Sequence, residues 1–302
     1  MEQPEVLLAK KPNDPKHPRR EETLVGHTEA VMDAAQYFGD LLAPHLVAAT
    51  QCSCEAAKYW RKALSIAAWL HDIGKANSHF QEMLRTRDIS FRQGVRHEAV
   101  SLVIAAIELD DWLENLWKEI PRWAKAGVLF AISGHHVKFP DTIERSGTGT
   151  DFTAFTGLAD FGQLLNLGAE AFRLPAPPGI ENRDYSLLAL DDANGRPVFA
   201  RLLRNVQREL DCDFTQSEKV LIGALKAALM DADLAGSALP RRGIGAESWL
   251  RERLSTSMTR GQLCDVVSKK LDSRKPWAFQ NEVAEAGERT VLLEAACGSG
   301  KT

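Results

Sequence analysis

The sequence predicts an all-α helical bundle followed by a short C-terminal fragment of α/β character. Three observations predict it. Apolar residues recur at helical spacing from Thr23 to Ser237. Only RTVLLEAACGSGKT, at the very end, has the form of a strand feeding a Gly-rich turn. The composition, 44% hydrophobic and 26% charged, is that of a folded chain and excludes a disordered scaffold. At 302 residues the chain can hold one large domain and part of another.

The first twenty residues are rich in Pro, Lys and Arg and are expected to form an irregular lead-in. GHTEAVMDAAQYFGDLL then places Val31, Ala34, Ala35, Phe38, Leu41 and Leu42 on one helical stripe. CEAAKYWRKALSIAAWLHDIGK predicts a second helix, stopped by Gly74. HEAVSLVIAAIELDDWLENLW predicts a third, and WAKAGVLFAISGHH a fourth that ends at Gly134. Residues 137–197 contain SGTGT, LPAPPG and DDANG, and are expected to be a loop-rich insertion with short helices. Helix resumes with ARLLRNVQREL and SEKVLIGALKAALMDADLAGS. The expected organisation is a helical domain over 1–240, a basic linker over 241–275 and the truncated start of a second domain over 276–302.

Between Pro240 and Lys275 nine basic residues face four acidic ones, although the whole chain carries a net charge of −4. Such a segment suits contact with phosphates, and suits a solvated helix face equally well. No run of about 18 apolar residues is present, so no spanning helix is expected. Met1 to Lys10 lacks the pattern of a secretory leader. The five cysteines (Cys52, Cys54, Cys212, Cys264, Cys297) are scattered and odd in number, as free thiols in a reducing compartment would be. A cytoplasmic, monomeric protein that makes no membrane contact is expected.

His71-Asp72 falls at the end of an amphipathic helix, with Lys75 one turn later. A neutral nitrogen beside an anionic oxygen suits a divalent metal. Of the eight histidines, His17 and His45 lie in or beside Pro-containing segments, and His79 in a polar turn. His27, His97, His135 and His136 lie at helix starts or ends beside apolar segments, where side chains of several helices converge. In LIGALKAALMDADLAGS the stripe Ile222, Leu225, Leu229 continues to Asp233, while Asp231 falls off it. A carboxylate on a buried stripe is costly unless paired or metal-bound, so Asp233 is the candidate ligand and Asp231 the substitute. Any one of these histidines reads more simply as a satisfied polar residue. The ordered set favours a metal site.

The order His27, His71-Asp72, Asp233 resembles the HD superfamily of metal-dependent phosphohydrolases. HDIGKANSHFQ, the lone His97, the doublet GHH and the ending DADLAGS resemble its branch in the CRISPR-associated nuclease-helicases of type I systems. The resemblance covers Thr23 to Ser237 and departs at Leu234, where that branch often has an aromatic. It implies an HD bundle with two divalent ions. One would be held by His27, His71, Asp72 and Asp233, the other by the bridging Asp72 with His97, His135 and His136. Asp72, Lys75 and Ser237 would form the catalytic set, with Lys75 on the scissile phosphate and Ser237 donating a hydrogen bond nearby. Histidine-rich ligation implies Mn, Fe, Co or Ni, with Mg as the alternative.

The implied activity is hydrolysis of single-stranded DNA, fed by an ATP-driven translocase and recruited by an RNA-guided, Cascade-type surveillance complex. The rival readings are a phosphohydrolase of nucleotides or cyclic nucleotides, and a recruitment module without catalysis. AACGSGKT, with Ala295 in place of the first Gly of a phosphate loop, resembles motif I of superfamily 2 helicases. There Gly298 and Gly300 would turn N–H groups to phosphate, Lys301 would reach the terminal phosphates and Thr302 would hold Mg²⁺. Gln280, after Trp277 and Phe279, resembles the adenine-reading glutamine motif. ATP with Mg²⁺ is therefore expected as a cofactor of the intact helicase, and these residues as a vestigial nucleotide site in this chain.

Overall fold

A computed structural model of the chain describes residues 4–14, 17–86, 88, 90–91, 93–136, 151–186, 204–209, 211–254 and 259–271. Four helices make the core. Helix α1 (Leu24–Thr50) starts where the Thr23 hydroxyl accepts the Gly26 N–H, and it buries Leu24, Val31, Ala34, Ala35 and Phe38. Helix α2 (Cys54–Leu70) is capped in the same way by Ser53 and buries Trp60, Leu64, Ala67 and Ala68. After α3 (Ser78–Arg85), α4 (His97–Val103) and α5 (Asp110–Lys118) comes α6 (Arg122–Gly134), whose stripe includes Ala124, Val128 and Ile132.

The long helix α8 (Gln216–Ala238) opens on a reciprocal capping box between Thr215 and Glu218. Helix α1 packs on α2 and α8, α6 packs on both of those, and α4 lies against α6 and the turn at Ile73–Lys75. The chain therefore forms an all-α helical bundle.

Three expectations change on the structure. The third apolar run is one helix broken in two. A π turn at Ile104–Glu108 separates α4 from α5, and the extra residue in that turn resets the helical phase that buries Leu113, Leu116 and Trp117.

The lead-in is built into the core. Leu7, Leu8 and Ala9 are buried, and Leu8 bridges to Thr23. The Leu8 N–H reaches Gln81 Oε1 at 3.0 Å, while the Leu7 N–H reaches Asp160 Oδ2 at 2.9 Å. A four-residue apolar island inside Pro, Lys and Arg has no periodicity to betray it.

The 137–197 segment is more than a covering insertion. Strands β1 (Asp151–Ala154) and β2 (Arg183–Ser186) pair antiparallel, with Asp151 opposite Ser186 and Ala154 opposite Arg183. Between them α7 (Ala159–Phe172) buries Phe161, Leu164 and Leu165. Its Leu164 carbonyl accepts the Trp69 indole N–H at 2.8 Å. Gly168 lies so close to that indole that a Cβ there would stand 2.1 Å from its Cε2.

The chain divides into two compact units, Met1–Arg251 and Glu252–Thr302. Within the basic segment, α9 (Ala246–Leu254) buries Ala246 and Leu250 in the first unit's core, so that unit reaches past residue 240. Helix α10 (Arg260–Leu271) belongs to the second unit. The nucleotide-site residues Gln280, Gly298, Gly300, Lys301 and Thr302 lie outside the described residues. Among the described residues no helix is long and apolar enough to cross a membrane.

Candidate metal centre

Helix ends bring the site together. His27 lies in the first turn of α1, its N–H on the Thr23 carbonyl at 3.0 Å. His71 closes α2, and Asp72 leads into the tight turn at Ile73–Lys75. His97 opens α4, His135 closes α6 with His136 next in sequence, and Asp233 sits near the end of α8.

Asp72 is the centre of this convergence. Its Oδ2 lies 2.9 Å from His27 Nε2, 3.3 Å from His71 Nε2 and 2.5 Å from Lys75 Nζ. Its Oδ1 lies 3.2 Å from His97 Nε2 and 3.5 Å from His135 Nε2. Asp233 offers Oδ1 at 3.3 Å from His27 and 3.8 Å from His71, and Oδ2 at 3.9 Å from His136. The Ser237 hydroxyl donates to that Oδ1 at 3.2 Å.

Two donor groups result, each with ligand atoms within 4.8 Å of one another: His27, His71, Asp72 and Asp233, and Asp72, His97, His135 and His136. Asp72 is common to both. Asp231, by contrast, is exposed.

These residues fit a cation. The atoms His71 Nε2, His97 Nε2, His135 Nε2 and Asp72 Oδ1 are buried without a hydrogen-bond partner among the described residues. Each such orphan costs about 1–3 kcal/mol unless something satisfies it. Two of the rings are also fixed from behind. His71 Nδ1 faces the Ala68 carbonyl at 2.8 Å and His135 Nδ1 the Ile132 carbonyl at 2.9 Å. A carbonyl can only accept, so each Nδ1 carries a proton and each Nε2 faces the cluster, where a bound cation would take its lone pair. Imidazole nitrogen with carboxylate oxygen is a donor set for first-row transition ions.

The charges are set for the same task. Burial would raise the pKa of Asp72, but His71, Lys75, the adjacent imidazole of His135 and the hydrogen bond with His27 hold it well below the carboxylate range. Asp233 is likewise held low against its burial by the adjacent imidazoles of His27 and His71. Burial pushes His27 and His97 down. Burial and the neighbouring His135 and His97 push His136 down to about 4. His71 goes the other way: burial opposes its charge, but Asp72 and Asp233 outweigh it and push it up to about 10.

Asp72 is wholly buried. One placement differs from the sequence reading. His79 is buried in α3, outside both donor groups, its ring centroid 6.5 Å from that of Phe152. His17 and His45 are exposed. Sequence reasoning did not single out Glu98 or Gln81. Glu98 is buried 3.4 Å from His97 Nδ1 and paired with Arg96 at 2.7 Å. Gln81 Nε2 donates to the Lys75 carbonyl at 2.9 Å and the Leu8 carbonyl at 2.8 Å. Gln81 closes the string HDIGKANSHFQ without a role being read from it, and Glu98 beside His97 carries no sequence signal of its own.

Residues 9–184 match the family described as Cas3, HD domain. The chain belongs to the Cas3 HD-domain family. A protein of Myxococcus xanthus (strain DK1622) described as a CRISPR-associated nuclease/helicase Cas3 is 32% identical over 301 residues. That alignment takes in 98% of this chain and 39% of the relative, so the chain spans about two-fifths of its length. The matched Cas3 HD-domain residues include His27, His71, Asp72, His97, His135 and His136. Asp233 lies beyond them and reaches the cluster on α8.

Proposed function

We propose that this chain is a metal-dependent nuclease that hydrolyses phosphodiester bonds of single-stranded DNA in type I CRISPR interference. The observation that carries the reading is the pair of donor groups sharing the buried Asp72. In it, His27, His71, Asp72 and Asp233 hold one divalent ion, and Asp72, His97, His135 and His136 hold the second. Ions bound there supply hydroxide at neutral pH and stabilise charge on the phosphorus oxygens. Lys75, fixed on Asp72, presents its ammonium to the phosphate, and the Ser237 hydroxyl keeps Asp233 in place.

The Cas3 relative's description as a nuclease/helicase supports a DNA substrate. In the setting we propose, an RNA-guided, Cascade-type complex delivers the strand and an ATP-driven motor feeds it. The test is incubation of the chain with Mn²⁺, Co²⁺ or Ni²⁺ and circular single-stranded DNA, beside a panel of nucleotides and cyclic nucleotides. Degraded circles are expected. Intact circles with a hydrolysed nucleotide would replace this reading with a small-molecule phosphohydrolase.

A further inference from the structure

Ser101 is fully buried in α4, inside an otherwise apolar stretch. A serine in a helix commonly returns its hydroxyl to a carbonyl one turn back, as Ser133 does to Phe130 at 3.1 Å. Ser101 instead reaches across to the turn that carries Asp72. Its hydroxyl donates to the His71 carbonyl at 2.7 Å and accepts the Gly74 N–H at 2.9 Å. One oxygen thus spans the backbone on both sides of Asp72.

The approach is as close as backbone allows. A Cβ on Gly74 would stand 2.2 Å from both the His97 carbonyl oxygen and the Ser101 nitrogen. The start of α4, which carries His97, and the turn that carries His71 and Asp72 are therefore locked in one register. Asp72 Oδ1 meets His97 Nε2 at 3.2 Å across that lock.

We infer that Ser101 is a positioning residue that sets the turn bearing Asp72 against α4, so that one carboxylate serves both donor groups. The inference rests on the metal reading above. Without the hydroxyl, the His71 carbonyl and the Gly74 N–H lose the partner that fixes the turn, and Asp72 shifts relative to His97.

The test is a Co²⁺ titration of the full chain, followed by the d–d absorption of the bound ion, for wild type, Ser101→Ala, Ser101→Cys and Ser133→Ala. Both Ser101 variants should lose about tenfold or more in Co²⁺ affinity and show an altered d–d band. Ser133→Ala, which also removes a hydroxyl from a packed helix, should keep the wild-type affinity and band. In the metal-free protein, the Gly74 amide should exchange with solvent faster in the Ser101 variants. If Ser101→Ala does not fold, Ser101→Cys, nearly equal to serine in shape, carries the comparison. Wild-type affinity and band in a folded Ser101 variant overturn the inference, as does an equal change in Ser133→Ala. Failure of the wild-type chain to bind Co²⁺ overturns the metal reading, and the inference with it.

Discussion

The carboxylate of Asp72 faces nitrogens of four histidines and one lysine from a wholly buried position. Removing it does two separable things. It takes the shared ligand from both donor groups, and it leaves the Lys75 ammonium buried without its anion. Asp72→Ala should therefore abolish metal-dependent cleavage. It should also lower the stability of the metal-free protein by about 3–5 kcal/mol, the usual cost of breaking a buried pair. The double variant Asp72→Ala/Lys75→Met should recover most of that stability and none of the activity. Urea denaturation in EDTA beside a nuclease assay checks both halves, and an unchanged urea midpoint in the single variant would refute the buried-pair account.

Asp233 and Asp231 separate in the same assay. Asp233→Asn should cut activity severely, while Asp231→Asn should leave it within about twofold, since surface changes away from a site are usually small. The burial of the one and the exposure of the other were legible in the sequence. Four residues after Leu229 the helical phase carries Asp233 onto the buried face, and the structure puts it there.

Helices α1, α2, α6 and α8 were legible for the same reason, because each buries a stripe wide enough to leave a 3.6-residue period. The elements that were not legible owe their place to partners far away in sequence. The segment Leu7–Ala9 is held by Thr23, Gln81 and Asp160, and none of those pairings leaves a mark on the local sequence. Helix α7 lies between turn-rich stretches that mask its stripe, and its role depends on Trp69, almost a hundred residues earlier. Gly168→Ala tests that role. Alanine is the better helix former by about 1 kcal/mol, so on an exposed helix it would stabilise. Against Trp69 the added methyl has no room, and the ring is tethered through its N–H to Leu164. Overpacking of this kind costs about 1–3 kcal/mol, and a net loss of stability is expected by chemical denaturation. A gain would show that α7 can lift off α2 freely.

At the scale of the first compact unit, the candidate ligands run from His27 to Asp233 and come from α1, the end of α2, α4, the end of α6 and α8. Nothing smaller than the folded unit can present both donor groups together. An ion bound there should therefore stabilise the whole bundle against unfolding. A ligand that binds only the native state adds about 2.7 kcal/mol when free at one hundred times its dissociation constant. Calorimetry should show one cooperative transition that moves up as Mn²⁺ or Co²⁺ is added and returns with EDTA. In Asp72→Ala the transition should not respond to the metal. Histidines and carboxylates of an unfolded chain also bind transition ions, which would reduce the shift without abolishing it. The decisive comparison is therefore between titration and calorimetry on the same sample. An ion that binds tightly at 25 °C yet leaves the transition in place would have to sit on groups that survive unfolding, and such groups cannot be the convergent ends of five separate helices.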